Sequence, residues 1–362
     1  MVIPIAIKVP LLTLDNAISF SSELFQLPDS EEYVFDFSNM DWVEPFGMLY
    51  LSSQISKYRR LKNSSKFYAI NHAHCDYAGH MGFFKTFGLS FGKQQGEARG
   101  SWNYIPITSV KVDNLINGAN QNWEHIGETI ERRSHRLACV LTRQPSGNLV
   151  DTLKYSFCEI IRNIVEHSNS GFINYCAQYW PSQNIVEVSI LDTGIGIRQS
   201  LSGNPFLKNI NSDKEALHKS LLPGISGKMY KGKKVQPHNH WQNAGFGLYM
   251  TSRLCRNSGS FFICSGDAGI LLIGKTKTLY NTNFSGTVLR LTLNTQSIDY
   301  LSTSLAKFSR EGQEFAKMLK GVGNISASAA SLMLTEDFKK SSKDYIKDGP
   351  ELSFGASDDI PF

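Results

Sequence analysis

The segment EIIRNIVEH, residues 159–167, decides the fold expected for this chain. It ends an amphipathic helix predicted over 153–167, in which Glu159, Asn163 and His167 share one face because each lies one helical turn after the last. A carboxylate one turn from a carboxamide can activate water or a hydroxyl, while the amide oxygen binds Mg²⁺, which prefers hard oxygen ligands. The same pattern also describes a polar helix face in solvent, so this segment alone leaves both interpretations open.

A second motif follows two predicted strands, at 172–179 and 185–191. It reads Leu-Asp192-Thr-Gly194-Ile-Gly196. The apolar strand delivers an aspartate that can accept a hydrogen bond from an exocyclic amine such as that of adenine, and the glycines let the backbone turn sharply against a ligand. An ordinary Asp-Gly turn is the alternative.

A third motif, Asn-Ala-Gly245-Phe246-Gly247-Leu248, immediately precedes a helix predicted over 246–256. Backbone N–H groups at a helix start, left open by glycines, can hold phosphate oxygens. The motif lacks the third glycine of a dinucleotide-binding fingerprint, and the chain contains no GxxxxGK[ST] phosphate loop.

The fourth motif, Ser-Gly-Thr287, opens the last predicted strand, 287–293. Before it, apolar strands are predicted over 261–265 and 270–275. The Gly-Asp-Ala-Gly sequence at 266–269 lies between them, which predicts a hairpin turn there.

Taken in this order, the four motifs resemble the GHKL superfamily of ATPases and kinases over 153–294. The resemblance implies a Bergerat fold, an α/β sandwich that binds ATP and Mg²⁺. It implies that Glu159 is the general base and Asn163 the Mg²⁺ ligand. The residues implied to contact the nucleotide or its metal ion are Asn163, His167, Asp192, Gly194, Gly196, Lys228, Gly245, Phe246, Gly247, Leu248 and Thr287.

The stretch 198–243 corresponds to the ATP lid in this resemblance. Its weak periodicity and its many glycines and lysines predict a long mobile segment. Flexible ammonium groups such as that of Lys228 can close on a triphosphate. A solvated loop is the alternative for any single lysine.

The N-terminal part shows a strand–helix–strand–helix order, with strands at 33–37 and 66–70 and a helix at 46–60. Residues 31–92 resemble a STAS domain, the fold of anti-sigma-factor antagonists. Glu44 stands where that family has an aspartate, and Pro-Phe replaces the serine pair that follows it. The resemblance therefore implies a docking or regulatory module rather than a self-phosphorylated one.

The expected fold class is α/β, with an N-terminal STAS-like domain before a Bergerat-fold sandwich. The predicted division of the chain is a STAS-like domain at 1–110, a helical connector at 111–150, an ATP-binding domain at 151–295, a C-terminal helix at 296–320 and a flexible tail at 321–362.

The composition supports folded domains. Of 362 residues, 41% are hydrophobic and 19% charged, which excludes global disorder and predicts two or three domains. The 37 Lys and Arg against 32 Asp and Glu give +5, too mild to indicate direct nucleic-acid binding. The cysteines form no CxxC pair, and the chain shows neither a signal-peptide pattern nor a run of about 18 apolar residues. We therefore expect a cytoplasmic protein that does not enter a membrane.

Two further features bear on ligands and partners. His72, His74, Cys75 and His80 are metal-ligating types, but their spacing fits no standard zinc site, which leaves a polar turn as the alternative. The final residues resemble the C-terminal tip of bacterial single-stranded-DNA-binding proteins, which implies docking to proteins that recognise such tips; an inert tail is the alternative. The tip residues are Asp358, Asp359, Ile360, Pro361 and Phe362.

The sequence leaves three functions open. The first is a Mg²⁺-dependent ATPase whose lid closure switches contacts with a protein partner or with a second copy in a homodimer. The second is a serine protein kinase of the anti-sigma type, and the third is an interaction protein that senses ATP without turnover. Fused STAS-like and GHKL modules suggest bacterial regulation or conflict systems by analogy.

Overall fold

The computed structural model describes residues 3–115, 126–207, 209–227 and 245–318. No helix within these ranges is long and apolar enough to cross a membrane. The predictions that fall outside them concern the second part of the lid with Lys228, the flexible tail and its C-terminal tip, 358–362.

The described residues form two sheets and the helices that cover them. The strands are β1 (Ile5–Lys8), β2 (Glu32–Asp36), β3 (Lys66–Ile70), β4 (Tyr104–Lys111), β5 (Phe172–Trp180), β6 (Ile185–Asp192), β7 (Gly259–Ile273) and β8 (Thr276–Asn294). The helices are α1 (Leu14–Leu24), α2 (Pro45–Leu61), α3 (Asp76–His80), α4 (Phe83–Thr86), α5 (Ile126–Thr142), α6 (Asn148–His167), α7 (Ile197–Leu201), α8 (Asp213–Ser220), α9 (Gly247–Ser258) and α10 (Ile298–Met318).

The two sheets differ in strand direction. Strands β1-β2-β3 form a parallel sheet in that order, and strands β4-β5-β6-β8-β7 form an antiparallel one. Helices α1 to α4 connect and cover the parallel sheet; together these elements are called the N-terminal unit below. The predicted α/β class is thus confirmed at the level of a mixed α/β chain with one parallel and one antiparallel sheet.

The antiparallel sheet is buried on both faces. Alternate residues of β6 belong to different cores: Val188 and Ile190 pack with helices α5, α6, α9 and α10, whereas Leu191 packs with the N-terminal unit. The same division occurs on β8, where Leu289 and Val288 point to opposite cores. A strand covered on both faces needs apolar residues at successive positions, which explains the nearly continuous apolar run of β6.

A buried ionic cluster joins the N-terminal unit to the antiparallel sheet. Arg290 on β8 donates from Nε to Oε2 of Glu187 on β6 at 2.8 Å, and its terminal nitrogen lies 3.3 Å from Oε2 of Glu44, just before α2. The backbone N–H of Phe46 donates to the other oxygen of Glu187 at 2.8 Å. Glu187 is fully buried, and this burial raises the pKa of its carboxyl although the Arg290 guanidinium opposes the shift.

One predicted domain boundary is corrected. The N-terminal domain was predicted to end at residue 110, but β4 pairs with β5 in the antiparallel sheet, and the boundary therefore cuts through a strand of the second sheet. The sequence around β4 does not reveal this pairing, because its partner β5 lies much further along the chain. The predicted connector at 111–150 likewise contains the first residues of α6.

The predicted hairpin turn at 266–269 is also wrong. Strand β7 runs through this stretch without a turn, and the register of its pairing with β8 shifts on both sides of Gly266, whose φ is +65°. The extra residue forms a β-bulge, which a glycine in the left-handed region accommodates. The real turn follows Ile273, at Gly274 with φ +54°.

The described part of the predicted lid contains regular structure. Helix α7, a 3₁₀ turn at Pro205–Leu207 and helix α8 lie within 197–220, and the Ser212 hydroxyl caps α8 by accepting the N–H of Glu215 at 3.1 Å. Leu201, Leu207, Ile210 and Ala216 form a small core of their own. Because each helix is only one or two turns long, none carries enough repeats to show the helical period in the sequence.

Candidate functional site

One cavity brings residues of all four motifs together. It lies between α6, the end of β6, the middle of β8, the α7–α8 segment and the start of α9, and it comprises about 860 Å³ of space together with the solvent at its open mouth. The predicted residues that line it are Glu159, Asn163, Asp192, Gly196, Gly245, Gly247, Leu248 and Thr287.

Helix α6 brings a carboxylate and an amide to the cavity wall. Glu159 is 2% exposed, and the hydroxyl of Tyr155, one turn earlier, donates to its Oε1 at 2.9 Å. Asn163, one turn later, is half-buried. The first turn of α9 packs against the carboxylate so closely that a Cβ at Gly247 would lie 2.5 Å from Glu159 Oε2, which explains why a glycine occupies that position.

Asp192 and Thr287 face each other across the sheet. They are paired in the antiparallel register of β6 and β8, so their Cβ atoms are about 4.5–5.5 Å apart. Asp192 is 3% exposed, and burial raises the pKa of its carboxyl to about 6 although the Gly194 N–H donates to its Oδ1 at 2.9 Å. The pair is therefore a buried acceptor beside a hydroxyl at one end of the cavity.

The turn after β6 is held against the end of α6. The N–H of Ile195 donates to the carbonyl of Ser168 at 2.5 Å, and a Cβ built on Gly194 would overlap that same carbonyl oxygen. Gly286 approaches the turn from the other side, with φ +109° and no room for a side chain against the Asp192 carbonyl. These close approaches fix the position of the Asp192 carboxyl.

The Gly194→Ala variant tests this packing. We expect the free energy of unfolding to fall by about 1–3 kcal/mol, because the added methyl overlaps the Ser168 carbonyl and the turn must shift. The measurement is urea denaturation. Gly171→Ala is the matched control, because a Cβ there meets nothing within 4 Å, and its stability should stay within about 0.5 kcal/mol of wild type. Equal stabilities of the two variants would contradict the close approach.

The start of α9 forms the wall opposite the β6 turn. Gly245 has φ +71°, and a Cβ there would overlap the carbonyl oxygen of Ile225. Both the left-handed backbone and the lack of space therefore require a glycine at this position. The helix begins at Gly247, and Phe246 at its N-cap position makes no side-chain hydrogen bond to it. Backbone N–H groups in the first turn of a helix can bind a ligand with negatively charged oxygens.

The remaining lining residues were not singled out from the sequence. Polar ones come from the end of α6, from the α7–α8 segment and from the residues after α8: Ser168, Ser200, Ser220 and Ser226. Apolar ones surround them: Ile160, Ile164, Ile190, Ile195, Ile197, Leu201, Ile225 and Leu289. Serines and isoleucines of this kind occur throughout the chain, so no local signal distinguishes these positions.

Among the described residues, two predicted ligand-binding residues, Phe246 and Gly194, do not line the cavity. The ring of Phe246 is 2% exposed and packs beside Tyr249 in the core, 6.3 Å between centroids, because the helix turns it away from the cavity. Gly194 borders a separate polar cleft on the other side of the β6 turn. The side chain of His167 and all of Lys228 lie outside the described residues.

The histidines and cysteine near α3 do not gather into a metal site. The imidazole of His80 contacts the Tyr104 hydroxyl at 2.8 Å, and burial raises the pKa of the Cys75 thiol to about 11, which disfavours the thiolate that binds metals. Within the described ranges, no three His, Cys, Asp or Glu side chains lie close enough together to hold a metal ion.

The chain was compared with protein-family models and with curated proteins. No protein-family model matches the chain. No curated protein matches it either. The cavity and its residues are therefore interpreted by their own geometry and chemistry.

Proposed function

We propose that the chain is a Mg²⁺-dependent ATP-binding protein of the GHKL type that hydrolyses ATP. One observation carries the proposal: an acid and an amide on α6, a buried aspartate at the end of β6 and a glycine-bounded helix start, which lie on three separate stretches of sequence, line the same cavity. The apolar side chains of its wall suit a base. The N-terminal unit is proposed to be STAS-like and the antiparallel sheet with its helices to be a Bergerat fold.

The donor atoms of the cavity are consistent with a magnesium ion. Asn163 offers a hard amide oxygen beside the buried carboxylate of Glu159, and Mg²⁺ is usually held by one or two such groups together with substrate phosphates and water. Asn163 would hold the ion, which would neutralise charge on the phosphates. The start of α9 would donate N–H groups to the same phosphates.

Glu159 is proposed to act as the general base. The oxygen of a water molecule would form a bond to the terminal phosphorus, the bond from that phosphorus to the bridging oxygen would break with its electron pair leaving on ADP, and the water proton would pass to Glu159. The burial of Glu159 and its contact with Gly247 hold the carboxylate in one place for this transfer.

Asp192 is proposed to read the base, and the Asp192→Asn variant tests this role. We expect a 10- to 100-fold loss of ATP affinity in calorimetric titration, because an amide replaces a charged acceptor of the exocyclic amine. We also expect the free protein to become more stable at pH 7.5 by about 2–3 kcal/mol, since a pKa of about 6 in the folded state against 3.8 disfavours folding wherever the carboxyl is ionised.

The sign of the stability effect follows from this raised pKa. The folded state binds the Asp192 proton more tightly, so wild-type stability falls as pH rises from about 4 through 6, and the advantage of the variant should vanish below pH 4. Asp299→Asn, at an exposed position of α10, is the control and should change neither quantity appreciably. An Asp192→Asn protein that binds ATP as tightly as wild type would remove the base-reading role.

Incubation with ATP labelled on the terminal phosphate separates the three functions. Free labelled phosphate supports the ATPase, label on a STAS-type partner protein supports the kinase, and tight binding without turnover supports the sensor. The start of α2 in this chain offers no phosphate acceptor, because Pro45, Phe46 and Gly47 carry no hydroxyl group.

A further inference from the structure

We propose that Tyr155 is a positioning residue that orients the Glu159 carboxylate for catalysis, an inference that rests on the proposed ATPase function. Tyr155 lies one turn before Glu159 on α6, so their side chains share a helix face, and its hydroxyl donates to Glu159 Oε1 at 2.9 Å. The row of side chains one turn apart thus runs from Tyr155 through Glu159 to Asn163.

The carboxylate is held from two sides. The Tyr155 hydroxyl fixes Oε1, and the first turn of α9 approaches Oε2 so closely that a Cβ at Gly247 would lie 2.5 Å from it. Glu159 is 2% exposed, so water does not compete freely for these positions. A carboxylate so constrained presents a defined edge to the cavity.

The hydrogen bond has a chemical consequence as well as a geometric one. A donor to a carboxylate stabilises its charged form, which is the form that accepts a proton. The orientation of the carboxylate also decides whether its accepting lone pair points at the reacting water. A small misplacement of a catalytic group lowers the reaction rate by a large factor. Tyr155 does not line the cavity itself and acts through Glu159.

Two charged side chains on the elements around Glu159 pair with other residues. Lys154 on α6 pairs with Glu131 of α5 at 2.8 Å, and Arg253 of α9 pairs with Glu311 of α10. Asp192, at the end of β6, is a second carboxyl in the lining described for the cavity. Removal of the Tyr155 hydroxyl takes away the donor to Glu159 Oε1, so we expect it to alter this carboxylate directly.

The Tyr155→Phe variant tests the inference, since it removes the hydroxyl and keeps the ring. We expect kcat for ATP hydrolysis to fall about 10-fold while KM and the dissociation constant for ATP stay within about twofold of wild type. In a Glu159→Gln background the same substitution should cause no further loss of kcat, because the general base that Tyr155 orients is already absent. Tyr300→Phe, at an exposed position of α10, is the matched control and should keep wild-type kinetics.

A spectroscopic measurement tests the inference without depending on ATP hydrolysis. In protein labelled with ¹³C at glutamate carboxyls, the resonance missing from Glu159→Gln belongs to Glu159, and Tyr155→Phe should shift it in the absence of nucleotide. An unmoved resonance, or equal losses of kcat in both backgrounds, would overturn the role of Tyr155. A wild-type protein that binds or hydrolyses no ATP would instead overturn the proposed function, whatever the resonance shows.

Discussion

The Glu159→Gln variant is expected to bind ATP with wild-type affinity and to hydrolyse it 10²- to 10⁴-fold more slowly. The amide has the shape of the carboxylate and can still accept from the Tyr155 hydroxyl, but it cannot take a proton from water. Removal of a general base typically reduces the rate by this factor. Calorimetric titration with Mg²⁺ and ATP gives the affinity, and phosphate release gives the rate.

The control for this variant is Glu128→Gln, which makes the same chemical change at an exposed position of α5. Its rate should equal that of wild type. Hydrolysis at the wild-type rate by Glu159→Gln would remove the general-base role. Loss of ATP binding in the variant would instead indicate that Glu159 shapes the cavity rather than the chemistry.

The Arg290→Met variant is expected to lose about 3 kcal/mol of unfolding free energy. The substitution leaves Glu187, which is fully buried, without its neutralising guanidinium, and an uncompensated buried charge is strongly destabilising. Because Arg290 also contacts Glu44, the attachment of the N-terminal unit to the sheet should weaken as well. Urea denaturation measures the loss.

Two comparison variants test the explanation of this loss. Arg310→Met, at an exposed position of α10, should change stability by less than about 0.5 kcal/mol. Adding Glu187→Gln to Arg290→Met should recover at least about 1 kcal/mol, because glutamine removes the buried charge and still accepts from the Phe46 N–H. An Arg290→Met protein as stable as wild type would show that the cluster does not hold the two parts together.

The helix and strands around the cavity could be predicted from the local spacing of apolar residues. The helix predicted over 153–167 is found as Asn148–His167, and the strands that follow it are found within one residue of their predicted ends. The apolar positions of these segments recur at helical or strand spacing, and burial of one face is what stabilises such segments. Local periodicity is therefore sufficient where an element is long and has a clear face.

Other elements were missed because their stability depends on distant neighbours. Strand β1, only four residues long, is identified by its parallel pairing with β2 rather than by its own pattern. Strand β7 continues through Gly266 because β8 supplies its hydrogen bonds on both sides of the bulge, whereas the Gly-Asp sequence alone predicts a turn. In both cases the strand exists because of its pairing partner and not because of its own local sequence.

The chemical groups of the candidate site, and the helix or strand that carries each of them, could be predicted from the order of residues: the acid and amide on α6, the aspartate after an apolar strand and the glycines at the start of α9. The three-dimensional fold was needed to show that these groups line one cavity, that Phe246 turns into the core, and that Glu187 meets Arg290 from 103 positions away. The physical reason is that helical and strand periods depend on neighbouring residues, whereas burial, close approach and ion pairing depend on atoms that folding brings together from remote parts of the chain.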